Sequence, residues 1–347
     1  MRTKIVKFSE IFVLFSVIML MSGCGTSLRL ATQHSMDNMS DPAYRAKAAE
    51  TGAGYQEANG LPGLAERFAK RPNLKIAVLQ YATTIQGDIS RDFADTTYFS
   101  MLAATYGGHF QTKELKQLDA IEVPGDVGLH LATDGLKKLE AQLKEAGFVV
   151  IDSDKVINTK AYKKYYGVYP SVAVVEKGDY DITSLAAGWT TFAPKGYRVK
   201  APSGVIQIAQ AHWVWPDAEA LKEIATEMGE DVLFVNVSTV FSNHEIGGKG
   251  QTRSRHGIFN SNAKAAVVDP EFVGAGIGGF GHMVVGVDAG MNPPVSRQGF
   301  LKEIETAGHG EFVVDWNMLV RDSEYANDYY AQAFANALKE LRQSKEN

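Results

Sequence analysis

The sequence predicts an α/β fold, with helices packed on a layered mixed sheet. Three observations lead there. Short β-branched runs such as Lys75-Ile-Ala-Val-Leu-Gln-Tyr81 recur along the chain and read as strands. Stretches with apolar residues at helical spacing lie between them. Glycines stand where those helices should stop. Strands and helices that alternate in this way build α/β layers.

The elements follow in order. A short helix is predicted near Leu64–Lys70, then the strand from Lys75 to Tyr81. Asp95 to Tyr106 reads as a helix that stops at Gly107-Gly108. Thr133 is placed to cap a helix whose Leu136, Leu139, Leu143 and Ala146 share a face, with Gly147 ending it. Phe148-Val-Val-Ile151 then reads as a buried strand, and Ser153 opens a helix through Tyr166. Pro216-Asp217 opens another, with Ala218, Leu221, Ile224, Ala225 and Met228 on one face and Gly229 after it. Asp231–Val240 is the longest strand candidate, and His282–Val287 is a further one. An amphipathic helix over Ser323–Arg342 closes the chain, with Tyr330, Phe334, Leu338 and Leu341 as its stripe. The Gly- and Pro-rich stretches 178–204 and 243–281 read as insertions or long hairpins in a domain that spans 73–345.

Composition narrows the function classes. The chain has 347 residues, 45% of them apolar and 22% charged, which is ordinary for a folded domain and excludes wholesale disorder and a multi-span membrane protein. A single cysteine excludes an internal disulfide framework and any cysteine-rich zinc or iron–sulfur site. The net charge of −5 argues against a general nucleic-acid binder, which needs a basic face for phosphates.

The amino terminus has three parts. Arg2, Lys4 and Lys7 are basic, Ile11–Met21 is almost wholly apolar, and Met21-Ser22-Gly23-Cys24 follows. This is the pattern of a secretory signal peptide over residues 1–23. The apolar run falls short of the roughly 20 residues a permanent membrane helix needs. The small residues before Cys24 resemble the lipobox of bacterial lipoproteins, with Met21 in place of the commoner leucine. The resemblance implies cleavage between Gly23 and Cys24, acylation of Cys24, and a membrane anchor of several acyl chains. Gly25 instead of aspartate after the cysteine implies, by the same resemblance, the outer membrane. Loss of residues 1–23 removes three basic residues and one acid, leaving a body of charge −7. Residues 24–72 are small and polar, with Gly52, Gly54, Gly60, Pro62 and Gly63, and read as the lipidated cysteine and a flexible tether.

One wider resemblance rests on element order. A lipobox and tether come first, then Lys75-Ile-Ala-Val-Leu-Gln80. Next are a helix leading into Ala146-Gly-Phe-Val-Val-Ile-Asp152, a helix leading into Gly229-Glu-Asp-Val-Leu-Phe-Val-Asn236, and a closing helix. This order is similar to that of envelope proteins with an anticodon-binding-domain-like α/β core, of the CsgG, LpoB and TolB amino-terminal-domain type. The resemblance implies a binding, assembly or export role and no enzyme.

Candidate chemistry is sparse. Gly276, Gly278 and Gly281 match a GxGxxG spacing, but strand-like residues follow them where a dinucleotide site needs a helix. Ser261 and Lys264 match an SxxK spacing without its companion elements. His244, Glu245, Arg253, Arg255 and His256 share one Gly-rich polar stretch with Lys249. Imidazole and carboxylate suit a metal, and guanidinium suits an anion or an acidic partner, whereas the plain reading is a solvated loop. His244-Glu245 lacks the second histidine of a zinc-protease helix. Trp213 and Trp215 flank Val214 and share a face at strand spacing, and Tyr162, Tyr165, Tyr166 and Tyr169 crowd together among lysines. Both clusters read either as core packing or as a binding surface.

The expectation is therefore a lipid-anchored, periplasm-facing envelope lipoprotein. It should bind another envelope component and use neither a cofactor nor nucleic acid. A self-assembling outer-membrane channel subunit is the alternative, and an unrecognised periplasmic enzyme is the third. Oligomeric state is left open.

Overall fold

The computed structural model describes residues 34–57, 63–86, 123–166, 189–197, 218–245, 257–272, 283–288, 294–295, 301–306 and 309–344. The chain enters as strand β1 (His34–Ser35), helices α1 (Met36–Met39) and α2 (Pro42–Ala49) and strand β2 (Gly54–Glu57). Helix α3 (Leu64–Lys70) leads into strand β3 (Lys75–Gln86). Helices α4 (Gly125–Glu145), α5 (Ser153–Ile157) and α6 (Lys160–Tyr166) precede strand β4 (Trp189–Phe192). Helix α7 (Ala218–Met228) is followed by strands β5 (Val232–Glu245) and β6 (Gly257–Val268). After strands β7 (Met283–Asp288) and β8 (Pro294–Val295) comes the hairpin of β9 (Leu301–Thr306) and β10 (His309–Val314). Helix α8 (Trp316–Gln343) ends the fold.

The fold is α/β with a mixed sheet. Among the described residues, eight strands join in the order β1-β8-β6-β5-β3-β4, and β7 lies between β6 and β2. The pair β3–β5 is parallel, while β5–β6, β6–β7, β2–β7 and β3–β4 are antiparallel. Alternation along the central strands sorts side chains onto two faces. One face presents Ile76, Val78, Tyr81 and Ile85 from β3, Leu233, Val235, Val237 and Phe241 from β5, and Phe259, Ala263, Ala265 and Val267 from β6. Helices α4 and α8 pack there through Leu131, Leu136, Leu139, Leu143, Tyr330, Phe334, Leu338 and Leu341. The opposite face buries Ala77, Leu79, Val232, Phe234 and Val268 against Leu221 and Ile224 of α7 and Val156, Tyr162 and Tyr166 of α5 and α6.

Two glycines on α4 set how closely it docks. A Cβ on Gly128 would lie 2.3 Å from the Phe192 ring, and one on Gly135 would lie 2.1 Å from the Tyr81 hydroxyl. Gly147 and Gly229 follow their helices with φ of 84° and 62°, the left-handed conformation predicted for them.

Several expectations need correction. The flexible tether over 24–72 does not describe residues 34–57, which fold onto the body, whereas the short helix predicted at Leu64–Lys70 is present as α3. Asp41 caps α2, Arg45 of α2 pairs with Asp328 of α8 at 2.8 Å, and Asn336 donates to the Ala49 carbonyl at 3.2 Å. The glycines there serve close packing, since a Cβ on Gly52 would meet the Tyr329 hydroxyl at 2.5 Å. Of the two readings of 243–281, the long hairpin fits β5 and β6, and what the sequence does not reveal is that β6 is a central strand, antiparallel to β5 and in register with it from Phe234↔Val268 to Glu245↔Gly257. The insertion predicted over 178–204 contains β4, paired to the end of β3. The strand expected at Phe148–Ile151 reduces to one parallel bridge, Ile76↔Val150. Thr133 lies inside α4, which begins eight residues earlier, at Gly125. Ser153 and Tyr166 bound two helices, and the cap is Asp152. The helix expected at Asp95–Tyr106 lies outside the described residues.

Candidate functional site

The two ends of the central sheet differ in chemistry. Where β3 and β5 begin, charges are gathered and paired. Arg67 on α3 is 2% exposed and pairs with Asp269, which is fully buried just after β6. Arg71 reaches the same carboxylate at 2.9 Å, Glu271 at 3.2 Å and Asp231 at 3.0 Å. Burial lowers the Arg67 guanidinium's pKa, and the contact with Asp269 partly offsets this. Hydrogen bonding to Asp231 raises that of Arg71. Beside them Glu230 accepts from Lys155 at 2.6 Å and from Lys75, and the two ammonium groups hold its pKa down to about 2. A shallow groove of about 570 Å³ opens here, lined by Arg71, Lys222, Thr226, Glu230, Asp231 and Glu271. Every carboxylate named here has a cationic partner, so the cluster reads first as a lock that holds α3 to the sheet.

At the other end the face that carries α5, α6 and α7 becomes polar. Beyond Leu79 and Phe234, Gln80 stands opposite Asn236, Ala82 opposite Ser238, and Thr84 opposite Val240. On the far side Lys264 stands opposite Ser238 and Asn262 opposite Val240. An irregularity between Val78 and Gln80 shifts the β3 register, so Gln80 and Asn236 share this face. Thr84 and Thr191 join hydroxyls at 2.9 Å. Asn236 is 4% exposed, and among the described residues neither end of its carboxamide is hydrogen-bonded. The buried Asn262 carbonyl oxygen likewise has no partner among them. In an open α/β sheet, ligands gather at the carboxyl ends of parallel strands, where this half-face lies. Among the described residues this half-face presents carboxamides, hydroxyls and the Lys264 ammonium, groups that donate and accept hydrogen bonds.

The structure places few of the sequence-predicted site residues. His244 and Glu245 are the last residues of β5, opposite Ile258 and Gly257, so they sit on a strand end and not in a loop. Arg253, Arg255, His256, Trp213 and Trp215 lie outside the described residues, as do Gly23, Cys24 and the glycines 276, 278 and 281. Ser261 and Lys264 are three apart on a strand and so point to opposite faces. Ser261 is buried with its hydroxyl 2.8 Å from that of Tyr330. Tyr162 and Tyr166 are core residues, stacked with centroids 4.6 Å apart. Tyr165 lies at the surface of α6, where it donates to Glu223 at 2.9 Å.

Among the described residues no group of three His, Cys, Asp or Glu side chains is placed to hold a metal. No helix among them is long and apolar enough to cross a membrane. Sequence reasoning missed Gln80, Thr84, Asn236 and Ser238, because polar residues inside strands resemble solvent-facing alternation. Asn236 and Ser238 continue the period of the buried Phe234, whereas the irregularity after Val78 puts Gln80 and Thr84 out of phase with Leu79, so those two carry no periodic signal. No protein-family model matches the chain, and neither a curated protein nor a solved structure matches it.

Proposed function

We propose that this chain is a lipid-anchored, periplasm-facing lipoprotein of the cell envelope that binds another envelope component as an assembly or accessory factor. The lipobox carries the reading, because the only cysteine of 347 residues, Cys24, follows Ser22-Gly23 at the end of an apolar run. The polar half-face of the sheet supports it, since the Asn236 carboxamide, without a hydrogen bond among the described residues, suits recognition better than bond-making. The parallel pair β3–β5 with helices on both faces is compatible with an anticodon-binding-domain-like core. Labelling with a palmitate analogue tests the anchor: wild type takes the label and Cys24→Ala does not, and a labelled Cys24→Ala protein overturns it. Native mass in mild detergent tests the role. A monomer, dimer or stoichiometric complex with another envelope protein is expected. A ring of many identical subunits would replace this reading with that of an export channel.

A further inference from the structure

The folded part of the chain begins nearer to Cys24 than the sequence suggests. Residues 34–57 form a clasp along α8. Strand β1 pairs with β8, which pairs with β6 at Asn260. Met36 and Met39 of α1 are buried in the core. The Arg45 guanidinium donates to Asp328 and to the Met39 carbonyl and lies 5.0 Å from the Tyr325 ring centre. Tyr329 packs on Gly52, and β2 pairs with β7.

We infer that the body is held to the bilayer by a short leash and presents one defined end to the lipid surface. This rests on the lipidation of Cys24 proposed above. Cys24 and His34 are ten residue-to-residue steps apart, which bounds the leash at about 35 Å even when fully extended. Were the chain free up to Leu64, forty residues would allow about 140 Å. The clasp also fixes which end is near. Strand β1 sits at the Asn260 end of β6, which is the carboxyl end of β5, and Asp37 of α1 lies close to Asp322 in the second turn of α8. The far end of α8 meets Gly147 through Arg342, next to the start of β3. From Asp322 to Glu340 the helix runs about 27 Å. The leash thus joins the fold at the end of the polar half-face, and the groove of Arg71, Asp231 and Glu271 opens at the opposite end of the sheet.

The test uses the full lipidated protein in vesicles that carry a headgroup acceptor dye. Because acylation occupies Cys24, a donor can be placed at Ser40→Cys on the near end or Glu340→Cys on the far end, both exposed positions. Energy transfer from Ser40→Cys should exceed that from Glu340→Cys at least twofold. Equal transfer from both sites would overturn the inference. Adding Arg45→Glu should shrink the difference, and the charge-swapped pair Arg45→Glu with Asp328→Arg should restore it. If the protein neither floats with vesicles nor takes a palmitate label, the lipid reading fails instead. Amide exchange of the full chain in detergent then judges the clasp by itself. Protection of the Ala43–Ala49 amides supports it, and exchange at free-peptide rates removes it.

Discussion

The ion pair between Arg67 and Asp269 allows a quantitative test of how the amino-terminal region is fixed. Arg67 is 2% exposed and Asp269 is fully buried, so neither charge can turn to water when its partner is removed. Removing one member of a buried pair costs roughly 3–5 kcal/mol, because the survivor stays desolvated and uncompensated. Asp269→Leu should fall near the top of that range. It removes the carboxylate that pairs with buried Arg67, frees the Glu271 amide that donates to Asp269 at 2.9 Å, and takes one contact from Arg71. Arg67→Met should fall near the bottom, since Asp269 keeps Arg71 at 2.9 Å. The double variant replaces both charges by apolar bulk of similar size and should cost only about 2 kcal/mol, since such replacements are often neutral. The double variant would then lie several kcal/mol above the sum of the singles, a coupling expected only of groups in contact. Thermal unfolding of the four proteins at pH 7 reads this out. At about 2–4 °C per kcal/mol for chains of this order of size, Asp269→Leu should lose on the order of 10 °C. Additive singles, or a loss below about 1 kcal/mol for Asp269→Leu, would refute the claim that this pair locks α3 to the sheet.

Further outcomes follow from the packing. Gly135→Ala should destabilise by about 1–3 kcal/mol in a denaturant titration, because the new methyl meets the Tyr81 hydroxyl at 2.1 Å on a buried face. Tyr330→Phe should cost about 1 kcal/mol by the same measurement, because it removes the buried hydrogen bond of 2.8 Å between the Tyr330 and Ser261 hydroxyls. Asp322 is buried with one carboxylate oxygen unpaired, and burial raises its pKa above the ordinary carboxylate value despite the hydrogen bond from Arg321. A raised carboxyl favours the fold while protonated, and that contribution is lost as pH rises through its folded value. Asp322→Asn should therefore raise the melting temperature more at pH 7 than at pH 4, and an equal shift at both would contradict the assignment. Glu230 has the opposite sign. The salt bridges to Lys155 and Lys75 stabilise above the ordinary glutamate pKa and fade as pH falls toward about 2, so Glu230→Gln should weaken the fold at pH 7 and converge with wild type in strong acid.

The elements that a single sequence reveals are those whose own residues bury enough apolar surface. The Leu136, Leu139, Leu143 stripe, the run from Lys75 and the helix closed by Gly229 were legible because each carries its period in large aliphatic side chains. Strand β6 was not. Its core face reads Phe259, Ser261, Ala263, Ala265 and Val267, mostly small, because the facing α8 supplies the bulk with Tyr330 and Phe334. Gly52 read as freedom, yet it is small to admit the Tyr329 ring. The tyrosines of α6 offered two readings, and stacking in the core separates Tyr162 and Tyr166 from the exposed side of Tyr165.

Local order alone determined the α/β class, the helix stops at Gly147 and Gly229 and the expectation of a lipidated Cys24, since each depends on neighbours within a few residues. Long-range contact decided the rest. Asp269 stands 202 residues from Arg67, Asp328 stands 283 from Arg45, and Asn236 shares its face with Gln80 across the parallel pair. Such pairings carry no local period, because the cost of burying a charge or a carboxamide is met by a group that only folding brings near.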